Sequence, residues 1–486
     1  MPTIKVDTQP RHAISPRLYM QFMEPLGTTD SSVEACWDAL ADRWRPDFIE
    51  VVRDLAPSSI RWGGILTSFW KWRESVGPRA ARKDMVNYLW GGWEKNAVGV
   101  DEFLEFCEAV SAEPIMAINF AADGRPEYIS TPLGENRSGN ATEAADLVSY
   151  CNDPGNADRI ANGRKAPWAV HTWQIGNETS YPKAGERFTS LENARHYRDF
   201  SSAMKARDPS IQLIGWGDME RDTGKWWVND LVAEGGEHLD MVAIHMMHQK
   251  PTDAQAILNG RGYRKDYGAT WDALDGMYRS VEEKLLGARA ALKDAGTEAK
   301  LAITEGHLSI QPHNKSEMLR EWISGLYHAR CMALFERHSD IIDISTLADF
   351  AGTAWTVNAV MLGSPREVPY LLPVGHIMRL FRTKSGTNGA TATSDDSSVE
   401  VSASRKGNTL YLHVVNTSLD SAADVTLDLG GQGVKSIRAH RINPDIDVGI
   451  DSTALDAFAV DESDVPVNGH LSVPKASVTA YEIALA

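Results

Sequence analysis

Eight short apolar runs alternate with stretches of helical periodicity, and this pattern limits the possible folds of the chain more than any other feature. The runs are Leu18–Met23, Ser59–Trp62, Pro114–Phe120, His171–Glu178, Ile211–Trp216, Met241–His245, Lys300–Thr304 and Ile341–Ala348. Their β-branched and aromatic residues suit a pleated, buried surface. Between them, residues 34–55, 99–112, 140–151, 191–207, 225–234, 271–295 and 316–337 carry apolar residues at helical spacing. Pro46 divides the first of these into two expected helices, and Pro57 ends it. Eight strands alternating with helices over about 350 residues predict a (β/α)8 barrel of the TIM type, an α/β fold. An open doubly wound sheet would need a Gly-rich first turn, and no such turn lies near the first strands.

Composition changes near residue 384. Lys384–Ser397 is rich in Gly, Ser and Thr. Beyond it, Val399–Ala403, Leu410–Val415, Asp424–Leu429, Ile437–Arg441 and Val478–Ile483 alternate with a period near two, between Gly and Asn turns. This predicts an antiparallel β-sandwich. The expected organisation is a barrel over residues 19–383 and a β-sandwich over 384–486, joined by a strand from residues 1–18.

The formal net charge of −17 argues against nucleic acid and anionic membranes as partners. Cys36, Cys107, Cys151 and Cys331 form no CxxC pair, so neither a disulfide framework nor a zinc site is expected. No apolar run reaches the ~20 residues of a membrane helix, and the first residues show no signal-peptide pattern. The expectation is a cytoplasmic protein, or one whose leader has been removed. Trp62, Trp70, Trp72, Trp90 and Trp93 cluster among 15 tryptophans. They suit core packing, with some available to stack on sugar rings.

In a barrel, residues at the C-terminal ends of the strands face the site. Here these are Glu24, Gly63-Gly64, Asn119, Asn177-Glu178, Trp216, His245 and Glu305. Glu178 alone could be a solvated strand end or a catalytic acid. Paired with Glu305 across one barrel mouth, it becomes half of a two-carboxylate arrangement of the kind that cleaves glycosidic bonds. His245 and His248 supply at most two metal ligands, with no HExxH and no Asp cluster nearby, so neither a metal nor another cofactor is expected.

Trp173–Glu178 resembles the acid/base motif of glycoside hydrolase clan A. Three further stretches resemble family 51 α-L-arabinofuranosidases: Ile14–Gly27, Ile60–Gly64 and Val98–Cys107. The resemblance implies Glu178 as general acid/base and Glu305, within Ala302–Gly306, as nucleophile of a retaining double displacement. It further implies that Asn177 bonds the sugar 2-hydroxyl and that Glu24 holds sugar hydroxyls. His245 would orient a carboxylate or line the pocket; a purely structural histidine is the alternative.

The chain departs from the family in the residues that would surround the sugar. Gly306-His307 follow the expected nucleophile where the family has Trp-Asn, and Met246-Met247 replace an aromatic hydroxyl. Trp62 runs into Gly63 without the family's Pro, and Ala354-Trp355 stand where a Gln is expected. Trp62, Trp355 and His307 are accordingly taken as substrate-binding. The expected activity is exo-cleavage of a terminal furanosyl residue. The alternatives are another furanoside, a pyranoside such as a xyloside, or a barrel that binds carbohydrate with little turnover. The resemblance also suggests a homo-oligomer.

Overall fold

A computed structural model describes residues 1–24, 35–87, 93–120, 137–182, 188–247, 255–363 and 368–486. Trp90, His248 and the Pro25–Gly27 end of the first family-like stretch lie outside these residues.

Seven strands pair in chain order, each parallel to the next: Met20–Met23, Ser59–Trp62, Glu113–Ala117, Thr172–Ile175, Gln212–Trp216, Met241–Met247 and Lys300–His307. They are called the first to seventh strands below. The eighth position is split where a single strand was expected. Ile342–Ile344 pairs with the seventh strand, and Asp349–Gly352 pairs with the first through Asp349 and Phe22. Between the two pieces, Thr346 Oγ1 donates to the Ala348 carbonyl at 3.0 Å, a local side-chain bond that competes with the ladder. Met20 N donates to the Ser345 carbonyl at 2.9 Å. Residues 342–352 thus join the last parallel strand to the first. Asn358–Met361 and Tyr370–Leu371 extend the sheet, and the helix Pro373–Thr383 follows; none of these three was read from the sequence.

The helical periodicity of residues 34–55 misled at its first half. Trp37–Asp38 pairs with Arg43–Trp44 in a hairpin, and only Pro46–Leu55 is a long helix. Asp38 Oδ1 accepts from the Leu40 and Ala41 amides, closing the turn. Arg45, preceding the proline, is extended, as sterics before proline require. The apolar spacing is met by Trp37 packing edge-on to Trp44 across the hairpin, with ring centroids 5.5 Å apart.

Inside the ring, Met20, Phe22, Ile115, Ile214, Trp216, Met241, Ala243, Ala302 and Ile344 form one apolar cluster, and a larger one lies between the sheet and the helices. Arg17 closes the end of the ring where the strands begin. Its Nε donates to Asp343 at 2.8 Å, and its Nη1 donates to Thr172 at 2.9 Å and Gln212 at 2.5 Å. With that end tied across several strands, the opposite end is left for a site.

Nine strands make the C-terminal β-domain, Thr3–Asp7 among them. Asn388–Ser394 pairs through its first residues with Val399–Lys406 and through its last with Thr3–Asp7. Thr3–Asp7 also pairs parallel with Ala423–Asp428, the one departure from the antiparallel expectation among the described pairings of this domain. The short, polar strands Asp461–Val465 and His470–Val473 were not visible in the pattern. This domain docks on the helix Trp322–Arg337. The Glu336 carboxylate accepts from Tyr19 Oη at 2.7 Å and Ser402 Oγ at 2.5 Å, and pairs with His413 Nδ1 at 2.8 Å. The four cysteines are buried and unpaired. Among the described residues no helix is long and apolar enough to cross a membrane.

Candidate active site

The second strand supplies the hub. Successive side chains on a strand point to opposite faces. Ile60 and Trp62 turn outward, and Arg61 turns into the ring. This corrects the expectation for Trp62, whose ring is 1% exposed and packs on Trp70 and Phe103, with centroids 5.5 and 4.9 Å away. Its neighbour Arg61 belongs to the site instead. Fully buried, Arg61 donates from Nε to Gln174 Oε1 at 2.7 Å, from Nη2 to Asn177 Oδ1 at 2.6 Å and from Nη1 to Glu305 Oε1 at 2.9 Å. Its guanidinium stands 5.0 Å from the Phe22 ring centroid.

The fourth strand ends by curling. Gly176 has φ +88° and Glu178 has φ +55°, a left-handed conformation that a glutamate seldom adopts. The curl turns Asn177 toward Arg61 and brings Glu178 Oε1 to 3.1 Å from His245 Nδ1.

A bulge in the seventh strand orients Glu305. Ile244 is paired with Ile303, yet the next residue, His245, is paired with Glu305, so Thr304 is the extra residue. Ala302 faces the inner cluster and Ile303 the outer one. Strict alternation would send Glu305 outward with Ile303. With the bulge, both Thr304 and Glu305 point inward. Thr304 Oγ1 lies 3.1 Å from His245 Nε2, and Glu305 Oε2 lies 3.5 Å from His245 Nδ1.

His245 is therefore common to both carboxylates. Its amide donates to Asp218 Oδ2 at 3.0 Å, and its carbonyl accepts from Lys284 Nζ at 2.7 Å. Tyr181 Oη donates to the same Asp218 oxygen at 2.6 Å. Trp216 meets the imidazole edge-on at 4.6 Å. Burial pushes the imidazole pKa down to about 4, against the pull of Glu178. With Nδ1–H donating to Glu178, Nε2 accepts from the Thr304 hydroxyl.

Burial raises the Glu305 carboxyl well above its usual range; Glu178 and Glu24 add to the rise and Arg61 opposes it. Burial also acts to raise Glu178, but the hydrogen bond and charge of His245, with Arg221 and Arg61, outweigh it and hold Glu178 below its usual value. One oxygen of Glu178, one of Glu305 and a ring nitrogen of His245 all lie within 4.8 Å of one another. By distance alone these three could also ligate a cation. The Arg61 guanidinium on Glu305 disfavours one.

Glu24 leans over Gly64, where an added Cβ would fall 2.6 Å from its Cδ, and its charge is felt at both Arg61 and Glu305. His307 Nδ1 lies 3.2 Å from Asp349 Oδ1. Trp355 is half-buried and meets His313 edge-on, with centroids 5.9 Å apart. Asn119, another strand end, is spent on structure: its amide bonds the Trp70 and Arg137 carbonyls and the Gly139 N–H. The reading by strand ends missed Arg61, Gln174, Thr304, Asp218 and Lys284. Alternation along the second and fourth strands was the available signal for the first two.

The model of the "Alpha-L-arabinofuranosidase 1 domain" family matches residues 51–265. An intracellular exo-α-(1→5)-L-arabinofuranosidase of Acetivibrio thermocellus is 30% identical over 284 residues, covering 55% of this chain and 50% of that one. An exo-α-(1→6)-L-arabinofuranosidase of Bifidobacterium longum is 23% identical over 477 residues, covering 89% and 86%. The chain spans half or less of the length of the first curated relatives it matches, at 50%, 35% and 38%. Among solved structures, the Thermotoga maritima α-L-arabinofuranosidase superposes with TM-score 0.77 at 22% identity, over 100% of both chains. A family 51 α-L-arabinofuranosidase of Bifidobacterium longum gives 0.80 at 18%, over 99% of this chain and 100% of that one. In sequence and in fold, the chain resembles glycoside hydrolase family 51.

Proposed function

We propose that this chain is a retaining, exo-acting glycoside hydrolase of the α-L-arabinofuranosidase type. Its catalytic unit is a (β/α)8 barrel over residues 19–383. Residues 384–486, with a strand from 1–18, form the accompanying β-sandwich. The observation that carries the reading is the approach of Glu178 and Glu305 to within 4.8 Å, oxygen to oxygen. Retaining glycosidases hold their carboxyls about 5–5.5 Å apart, whereas inverting ones leave about 6.5–9.5 Å for a water.

In this mechanism Glu305 attacks the anomeric carbon while Glu178 protonates the departing oxygen. Glu178 then takes a proton from the water that releases the sugar. The pair must begin with one proton, held on Glu178. With its pKa near 4, His245 is uncharged around neutral pH, which removes the charge that helps hold Glu178 down. Arg61 cannot lose its own charge at such pH and remains against Glu305. The mechanism needs the negative charge on Glu305 and the proton on Glu178, the reverse of the order in which burial and the His245 hydrogen bond set the two carboxyls; a neutral His245 and a charged Arg61 both act toward it. Asn177 Oδ1 is taken by Arg61, which leaves its amide N–H to donate to the sugar 2-hydroxyl. Glu24 binds other hydroxyls, and Trp355 and His307 flank the sugar.

The substrate is a carbohydrate with a terminal furanosyl residue. The replacements at His307 and Trp355 favour, as a second reading, a galactofuranoside or a xyloside in place of the arabinofuranoside. The relatives named as intracellular support a cytoplasmic location. The test is Glu305→Gly with an activated 4-nitrophenyl glycoside and azide. Restored turnover with a glycosyl azide product of inverted anomeric configuration supports the reading; absence of rescue with every glycoside in the panel overturns the nucleophile.

A further inference from the structure

Beyond the bulge at Thr304, the seventh strand resumes its alternation. Gly306 faces outward: an added Cβ would meet the Thr346 carbonyl at 2.6 Å and Met246 Cβ at 3.6 Å. Glu305 and His307 therefore share the inner face, with His307 further toward the mouth by ~6.6 Å, two strand residues. Met247 is its neighbour in register. Asp349, across the junction to the split eighth strand, is in register with Phe22, whose ring belongs to the inner cluster. Two polar side chains from different strands thus meet on the interior wall, one sugar ring's reach above the nucleophile, with Nδ1 of His307 3.2 Å from Asp349 Oδ1.

A carboxylate that accepts from Nδ1–H fixes the tautomer and aims the other ring nitrogen. Nε2 of His307 is then a single, oriented hydrogen-bonding point on the wall. The residue is 8% exposed, so a group that met it would be largely desolvated, and such bonds discriminate strongly. Glu24, Glu178 and Glu305 stand against Arg61 and Arg221 at the carboxylate pair, and Asp349 adds a further carboxylate beside His307, a field that disfavours sugars bearing a carboxylate.

We propose that His307, positioned by Asp349, determines substrate choice by bonding one hydroxyl of a neutral glycone seated over Glu305. The proposal rests on the glycosidase reading above and names a contact within that site. The alternative is a structural staple between the seventh and eighth strands, and the two roles predict different outcomes.

The experiment uses the full chain with 4-nitrophenyl α-L-arabinofuranoside and its 3-deoxy and 5-deoxy analogues. The wild type should reject one analogue by about 100-fold or more in kcat/KM. His307→Ala should lower the parent by a similar factor while leaving that analogue within about 3-fold, so that discrimination disappears. Asp349→Ala should move the same way, and Asp349→Asn, which still accepts from Nδ1–H, should restore discrimination. A His307→Ala variant that slows all three substrates equally, or still discriminates, overturns the proposal. If the wild type hydrolyses none of them, the arabinofuranosidase reading fails separately. Calorimetric titration with L-arabinose, D-galactose and D-xylose then decides the contact. Binding of one sugar weakened about tenfold or more by His307→Ala supports it; unchanged binding, or none by the wild type, overturns it.

Discussion

Arg61 Nη1 and Glu305 Oε1 lie 2.9 Å apart in a site where the arginine has no solvent exposure. The same guanidinium holds Asn177 and Gln174. One planar cation therefore sets the charge of one strand end and the orientation of another. An ammonium group could not bond three acceptors arranged around a fork.

Arg61→Lys should keep the positive charge and lose this geometry. The expected result is a fall in kcat/KM of about 100-fold or more, most of it in kcat. Arg61→Met leaves Glu305 buried without its partner and should cost about 3–5 kcal/mol of stability. Denaturant unfolding and steady-state kinetics on the two variants separate these effects.

The pH dependence of stability follows from His245. The folded protein keeps this imidazole neutral down to about pH 4, whereas its ordinary value is 6.5. Its contribution is fully present above pH 6.5. As pH falls from there toward 4, protons bind the unfolded chain first, and stability declines. His328, also pushed down to about 4 by burial, acts in the same direction. Melting temperature should drop between pH 7 and pH 4.5, and His245→Gln should flatten that slope in a thermal scan.

Thr304 is the bulged residue and the hydroxyl partner of His245 Nε2. Thr304→Val keeps the shape and strips the hydrogen bond, leaving a buried nitrogen unpaired at about 1–3 kcal/mol. A good leaving group departs with little help from an acid, so the second, base-assisted step should suffer more than the first. With a good leaving group, glycosyl-enzyme should accumulate as a burst in stopped-flow absorbance.

Trp62 distinguishes core from site. Trp62→Leu should destabilise by about 2–4 kcal/mol through lost packing on Trp70 and Phe103. KM should stay within about twofold of the wild type. A large KM change with unaltered stability would return Trp62 to the substrate pocket.

Local pattern carried a good deal of this protein. The alternation of apolar runs and helical stretches determined the order of parallel strands, because each run is short, apolar and followed by a helix that must cover it. The end of the fourth strand put Asn177 and Glu178 at the mouth, and the period-two runs beyond residue 384 marked the β-domain. Local pattern failed where a partner far along the chain made the choice. Residues 37–44 have helical spacing, but they form a hairpin whose Trp44 packs on Phe106, far along the chain. Trp62 looked like a sugar platform until the helix carrying Phe103 claimed its ring. Tertiary structure alone turned Glu305 inward, since only pairing with the sixth strand creates the bulge at Thr304. It also made Arg61 a hub, because its acceptors come from the fourth and seventh strands and meet only when the ring forms.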